Sequence, residues 1–125
     1  MAAKRKAREE IGGRTVQVTQ PNWDALRALV DDELADRFMW MSEVELEDGT
    51  RLHGYQDEPS RRYLHLADDG RAFYFTREAR YRQVDPRTAL MALYIDVGDA
   101  ARLDEVQEAA LRLALAKLDR DLGEA

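Results

Sequence analysis

Apolar residues recur at helical spacing early in the chain and then switch to alternation. Trp23, Leu26, Val30 and Leu34, with Leu29 beside them, keep a three-to-four-residue rhythm, and Gln20-Pro21-Asn22 stands just ahead. Proline suits a first helical turn and Asp24 suits the positive end of the helix dipole, so a helix is predicted over about 21–36. From Phe38 the period is two: Phe38, Trp40, Val44 and Leu46 alternate with Met39, Met41, Glu43, Glu45 and Glu47. That is a strand with one apolar face.

Turn chemistry cuts the middle of the chain into hairpins. Glu47-Asp48-Gly49 suits a three-residue turn with glycine at the left-handed position. Strands are predicted over 50–56, 62–67 and 71–76, separated by a five-residue loop at 57–61 and a two-residue turn at Asp69-Gly70. Weaker signals mark an edge strand at 15–19 and a further strand at 80–84. Asp85-Pro86 is a cap with proline next, at the first helical position, and Leu90, Leu93 and Val97 continue the helix to a stop at Gly98. Asp99 can cap the last helix, which runs to about Leu122.

The expected architecture is therefore α+β: an antiparallel four-stranded meander, five-stranded if 80–84 joins it, with one helix before it and two after, packed on one face. Residues 1–13 read as a flexible basic arm (Lys4, Arg5, Lys6, Arg8) and 14–125 as a single domain. The last helix is broadly apolar. Leu103, Leu111, Ala114, Leu115, Leu118 and Leu122 form one stripe, and Val106, Ala110 and Leu113 widen it beyond what one contact uses. Two explanations stand: a helix wedged between sheet and neighbour helix, or a homodimer through this helix.

The turn lengths, combined with one apolar face, set Val44 against Leu52, Glu43 against His53, His53 against His65 and Tyr55 against Tyr63, with Leu66 against Phe73 and His65 against Tyr74. The apolar face then holds Phe38, Trp40, Val44, Leu46, Leu52, Leu64, Leu66, Phe73 and Phe75. The other face gathers Met39, Met41, Arg51, His53, Tyr55, Tyr63, His65 and Tyr74, which are predicted to bind a protein partner because such residue types are enriched where surfaces meet. Cross-strand tyrosine and Glu–His pairs also stabilise a sheet with no function implied. On the same register Glu43, His53 and His65 form a row, a candidate first shell for Zn²⁺ or Fe²⁺ and the basis of a small metal-dependent enzyme as an alternative.

Composition narrows the rest. The 125 residues include no cysteine, which removes disulfides, thiolate metal sites and cysteine nucleophiles. Neither serine, Ser42 or Ser60, sits in a GxSxG motif, and no glycine spacing cradles a phosphate, so no catalytic residue is assigned and no cofactor is implied. No apolar run spans a bilayer, and the expected setting is cytoplasmic, without membrane.

The net charge of −6 argues against nucleic acid in general. Residues 21–58 carry eleven acids against three bases, yet 61–87 hold seven arginines against four acids, interleaved with Tyr63, Tyr74 and Tyr81. That segment is the basis of a second alternative, a single-strand platform. The leading expectation is a non-enzymatic interaction module: an adaptor, regulator or structural subunit.

Overall fold

A computed structural model describes residues 10–18, 20–95 and 103–123, with side chains as far as residue 120. The basic cluster at Lys4–Arg8, Val97, the Gly98 stop, the Asp99 cap and the Leu122 side chain lie outside the described residues. In chain order the elements are β1 (Gly13–Val16), α1 (Asp24–Leu29), α2 (Asp32–Ala35), β2 (Phe38–Leu46), β3 (Arg51–Asp57), β4 (Tyr63–Ala67), β5 (Ala72–Phe75), β6 (Tyr81–Val84), α3 (Pro86–Tyr94) and α4 (Glu105–Gly123). The α+β class and the antiparallel meander are as expected. The sheet, however, has six strands in the order β1-β2-β3-β4-β5-β6, and the first helix is two.

The split in that helix has a local cause. Val30 turns extended (φ −125°, ψ 157°) while its side chain stays fully buried, and Asp31 is extended too, just ahead of α2. Asp32 and Glu33 then lie in the new first turn, where acidic residues favour the dipole. The start of α3 obeys the sequence signal directly: Asp85 Oδ1 accepts from the Arg87 N–H at 2.8 Å, with Pro86 first in the helix.

Three of the four hairpins share one turn. Leu46 N–H donates to Thr50 O at 2.8 Å and Gly49 N–H to Leu46 O at 2.9 Å. The same pair of bonds joins Ala67, Arg71 and Gly70, and again Thr76, Arg80 and Ala79. Each is a three-residue loop whose last residue is left-handed: Gly49 at φ 91°, Gly70 at φ 92° and Ala79 at φ 62°. Asp48 and Asp69 brace the first two by accepting from the backbone N–H of Thr50 and Arg71, which holds both carboxyls below the usual range.

Ala79 is the exception in chemistry. A left-handed conformation costs an L-residue about 1–2 kcal/mol, and glycine's greater unfolded-state freedom offsets part of that. Ala79→Gly is therefore expected to stabilise the protein by roughly 0.5–1 kcal/mol. Urea unfolding monitored by circular dichroism checks this; an unchanged or lowered midpoint would contradict the strain.

Loop length also corrects the register. The first hairpin pairs Val44 with Leu52 and Glu43 with His53, as expected. The β3–β4 connection is four residues, not five, because Asp57 N–H bonds Arg62 O and Arg61 sits left-handed at φ 65°. The β4–β5 loop is three residues, not two. The two errors have opposite sense, so β4 is turned over relative to both neighbours. Leu52 faces Ala67, His53 faces Leu66, Gly54 faces His65 and Tyr55 faces Leu64, while His65 faces Phe73. A bulge between Trp40 and Ser42 likewise reverses the first half of β2.

Both faces of the sheet consequently carry core. Phe38, Tyr55, Leu64, Leu66 and Ala72 pack under the helices with Leu26, Leu34, Leu90, Leu93 and Ala114. Val44, Leu46, Leu52, Ala67, Phe73 and Tyr81 form a second cluster with Ile11. This second cluster lies inside the curl of the sheet. Ile11 and Tyr81 exchange both backbone hydrogen bonds, at 2.8 and 2.7 Å, and so bring the entry to β1 against β6. No helix among the described residues is long and apolar enough to cross a membrane.

Candidate functional site

The turned-over β4 sorts the predicted surface residues into buried and exposed groups. Tyr55 is fully buried under the helices, its hydroxyl donating to Asn22 O at 2.6 Å, and burial pushes its pKa up. His53 is on the same helix-facing side and is 3% exposed. Its Nε2 lies 2.7 Å from Asp68 Oδ1, and its Nδ1, 3.8 Å from Glu43 Oε1, is buried without a hydrogen bond. Arg51 in turn pairs with Glu43.

His65 is on the opposite face, inside the curl, stacked on Tyr63 at 5.7 Å and edge-on to Tyr81 at 5.2 Å. Burial pushes its pKa down to about 4. The structure thus brings Glu43 and His53 together and separates them from His65. Among the described residues no group of three histidine, cysteine or acidic side chains is placed to hold a metal ion.

Of the predicted surface set, Met39 is half-buried, and Met41, Arg51, Tyr63 and Tyr74 are exposed. Tyr63 and Tyr74, at 44% and 45%, are joined by Phe75 at 47%, which the sequence had placed in the core. These three residues line a groove of about 570 Å³ between the start of β4, the end of β5 and the length of α3. Arg62 and Arg82 line it, and among the described residues no carboxylate does. The Arg82 guanidinium lies over the Tyr74 ring at 5.8 Å, and Arg62 Nη1 donates to Ala92 O at 3.1 Å, tying the groove wall to α3. The far wall is apolar, from Ala89, Ala92 and Ile95.

Chemically, such a groove offers aromatic area, apolar floor and positive charge together, the combination found at binding hot spots. Phe75 was expected in the core and Arg82 only as part of the arginine-rich segment 61–87, because their places in this groove depended on loop lengths. The signal available was the cluster Phe73-Tyr74-Phe75, whose three consecutive rings cannot all share one face.

The chain matches no protein-family model, no curated protein and no solved structure in the comparisons made.

Proposed function

We propose that this chain is a non-enzymatic interaction module, an adaptor, regulator or structural subunit, that holds a protein partner on the Tyr63–Tyr74–Phe75 surface. The observation that carries this reading is the exposure of three large aromatic rings around one arginine-lined groove. Clustered rings of this kind mark interaction surfaces, where scattered single ones do not. The net charge of −6 favours a protein over a nucleic acid as the partner.

The test is affinity capture from the native host with wild type and with a Tyr63→Ala, Tyr74→Ala double variant. A specific partner is expected to be retained by wild type and lost by at least tenfold in the variant, with the melting temperature within a few degrees. Equal capture by both proteins would place the partner elsewhere.

A second reading concerns α4. We propose that it pairs with a second copy of the chain. Val106 and Leu113, 57% and 37% exposed, leave an apolar stripe one turn either side of the small residues Ala109 and Ala110. Glu105 and Arg112 flank the stripe seven residues apart, so two antiparallel copies set acid against base. Light scattering should give a dimer for wild type and a monomer for Leu113→Glu. A wild-type monomer would remove the pairing.

A further inference from the structure

We propose that His65 is an acid-operated pin in the curl: once protonated, it releases Tyr81 and opens the seam between Ile11 and β6, while the sheet beneath the helices holds. This goes beyond the partner reading and does not depend on it.

Ring geometry supplies the first ground. His65 lies on Tyr63 with the ring planes 13° apart, meets Tyr81 at 79° and stands 6.3 Å from Phe75. Phe75 is itself 4.9 Å from Tyr81, so the imidazole belongs to one ring cluster that joins β4, β5 and β6. On the β3 side backbone closes in, since a Cβ added at Gly54 would stand 3.4 Å from His65 Nε2. The registers set Gly54 and Phe73 opposite His65, with Ser42 and Gln83 one strand further out, and none of the four is charged. Among the described residues the titratable groups that face it are Tyr63 and Tyr81. Glu10, the acid on the closing segment, accepts from Thr76 Oγ1 at 3.4 Å. Burial alone pushes the histidine pKa down, to about 4. Ring faces attract a cation, but they do not replace the water it gives up.

The seam supplies the second ground. Ile11 and Tyr81 make an isolated bridge of one residue pair, whereas β1–β2 and β5–β6 are each joined over four consecutive pairs. One longer bond supports the bridge, from Arg80 Nη2 to Glu10 O at 3.2 Å. Ile11 packs on the cluster that holds Tyr81, and that cluster is separate from the one under the helices. Parting Ile11 from Tyr81 therefore uncovers the tyrosine ring, and behind it the imidazole, without disturbing the helix-side core.

Protonation and opening are then linked. In the closed form the imidazole keeps its proton only below about pH 4, and in water below about 6.5. Between those values the open form binds a proton that the closed form does not, so opening is favoured as pH falls. The ratio of open to closed should rise about tenfold from pH 7.5 to 5.5 and about seventyfold by pH 4.5.

Amide hydrogen exchange on the full chain, resolved by NMR at these three pH values and corrected for the intrinsic rate, is the test. The Ile11 and Tyr81 amides should exchange about tenfold or more faster than the Leu64 amide, and their opening should rise by the factors given. His65→Phe should abolish the rise, with His65→Gln in its place if that variant does not fold. His53→Gln, which removes the other histidine, should keep it.

Seam amides that exchange no faster than Leu64 would overturn the inference, because the seam then opens only with the whole fold. So would seam exchange that stays flat with pH in wild type, that rises equally without His65, or that loses its rise in His53→Gln.

Discussion

Asp57→Ala should cost about 3 kcal/mol of stability, because it leaves two buried nitrogens of the half-buried Arg37 guanidinium without their charged partner. Asp57 has no exposed surface, and four groups converge on it. Arg37 Nε stands 3.5 Å from Oδ1, the Tyr94 hydroxyl donates to Oδ1 at 3.2 Å, Ser60 N–H donates to Oδ2 at 3.1 Å and Arg61 N–H donates to the main-chain oxygen. Arg37 depends on this carboxylate in particular. Its Nε and Nη2 are buried without a hydrogen bond, and its other close neighbour is the Tyr94 ring at 5.9 Å.

Burial, with the Asp57 charge beside it, pushes the Tyr94 hydroxyl pKa up, so that group stays a neutral donor. Thermal unfolding of Asp57→Ala should show a fall of roughly 10–20 °C in Tm. Removing the cation as well, in Asp57→Ala with Arg37→Met, should recover part of it. A single variant within about 1 kcal/mol of wild type would mean that Arg37 finds water or another partner, and would refute the account.

The second large effect is a loss of stability in mild acid, carried by His65. Its side chain is buried among Tyr63, Phe75 and Tyr81, and burial depresses its folded pKa to about 4 from an ordinary 6.5. Above about pH 6.5 neither state is protonated and this histidine imposes no penalty. Between about 6.5 and 4 the unfolded chain binds the proton and the folded chain does not, so stability falls as pH falls. The slope approaches about 1.4 kcal/mol per pH unit, and the whole loss approaches about 3 kcal/mol. Denaturant titrations at pH 7.5, 6, 5 and 4.5 measure it. His65→Phe keeps an aromatic ring without the titrating nitrogen and should flatten this window. Parallel profiles for the two proteins would show that another group carries the acid sensitivity.

From β2 onward strand positions were legible to within a residue or two because alternation and turn residues act locally, whereas β1 lies two to three residues ahead of the expected 15–19. The Asp48-Gly49 turn even gave the pairing of Val44 with Leu52. What failed was the count of residues in two loops. A miscount of one turns a strand over, and the apolar pattern normally exposes the error because only one face is buried. Here it did not. Leu64 and Leu66 go under the helices, while Leu52 and Phe73 go inside the curl, so either orientation of β4 finds an apolar environment.

The bulge at Met41 hid the same way, with Trp40 and Val44 packed on opposite faces. The turn before β6 has Ala79 where its two counterparts have glycine, which is why that strand was the faintest. For the candidate site, the exposed tyrosines were foreseeable from composition. Their grouping with Phe75 and Arg82, and the separation of His53 from His65, depended on the loops.

Each strand pairs with its neighbour in sequence, so most of the sheet is assembled from contacts that close short loops. The Ile11–Tyr81 exchange differs, joining the two ends of the meander. A contact between such distant positions repays its loop-closure entropy only after the intervening hairpins have formed. The curl is thus a latch set last in folding, and the first residues ahead of β1 decide whether the finished ribbon stays an open strip or becomes a closed vessel around its second core.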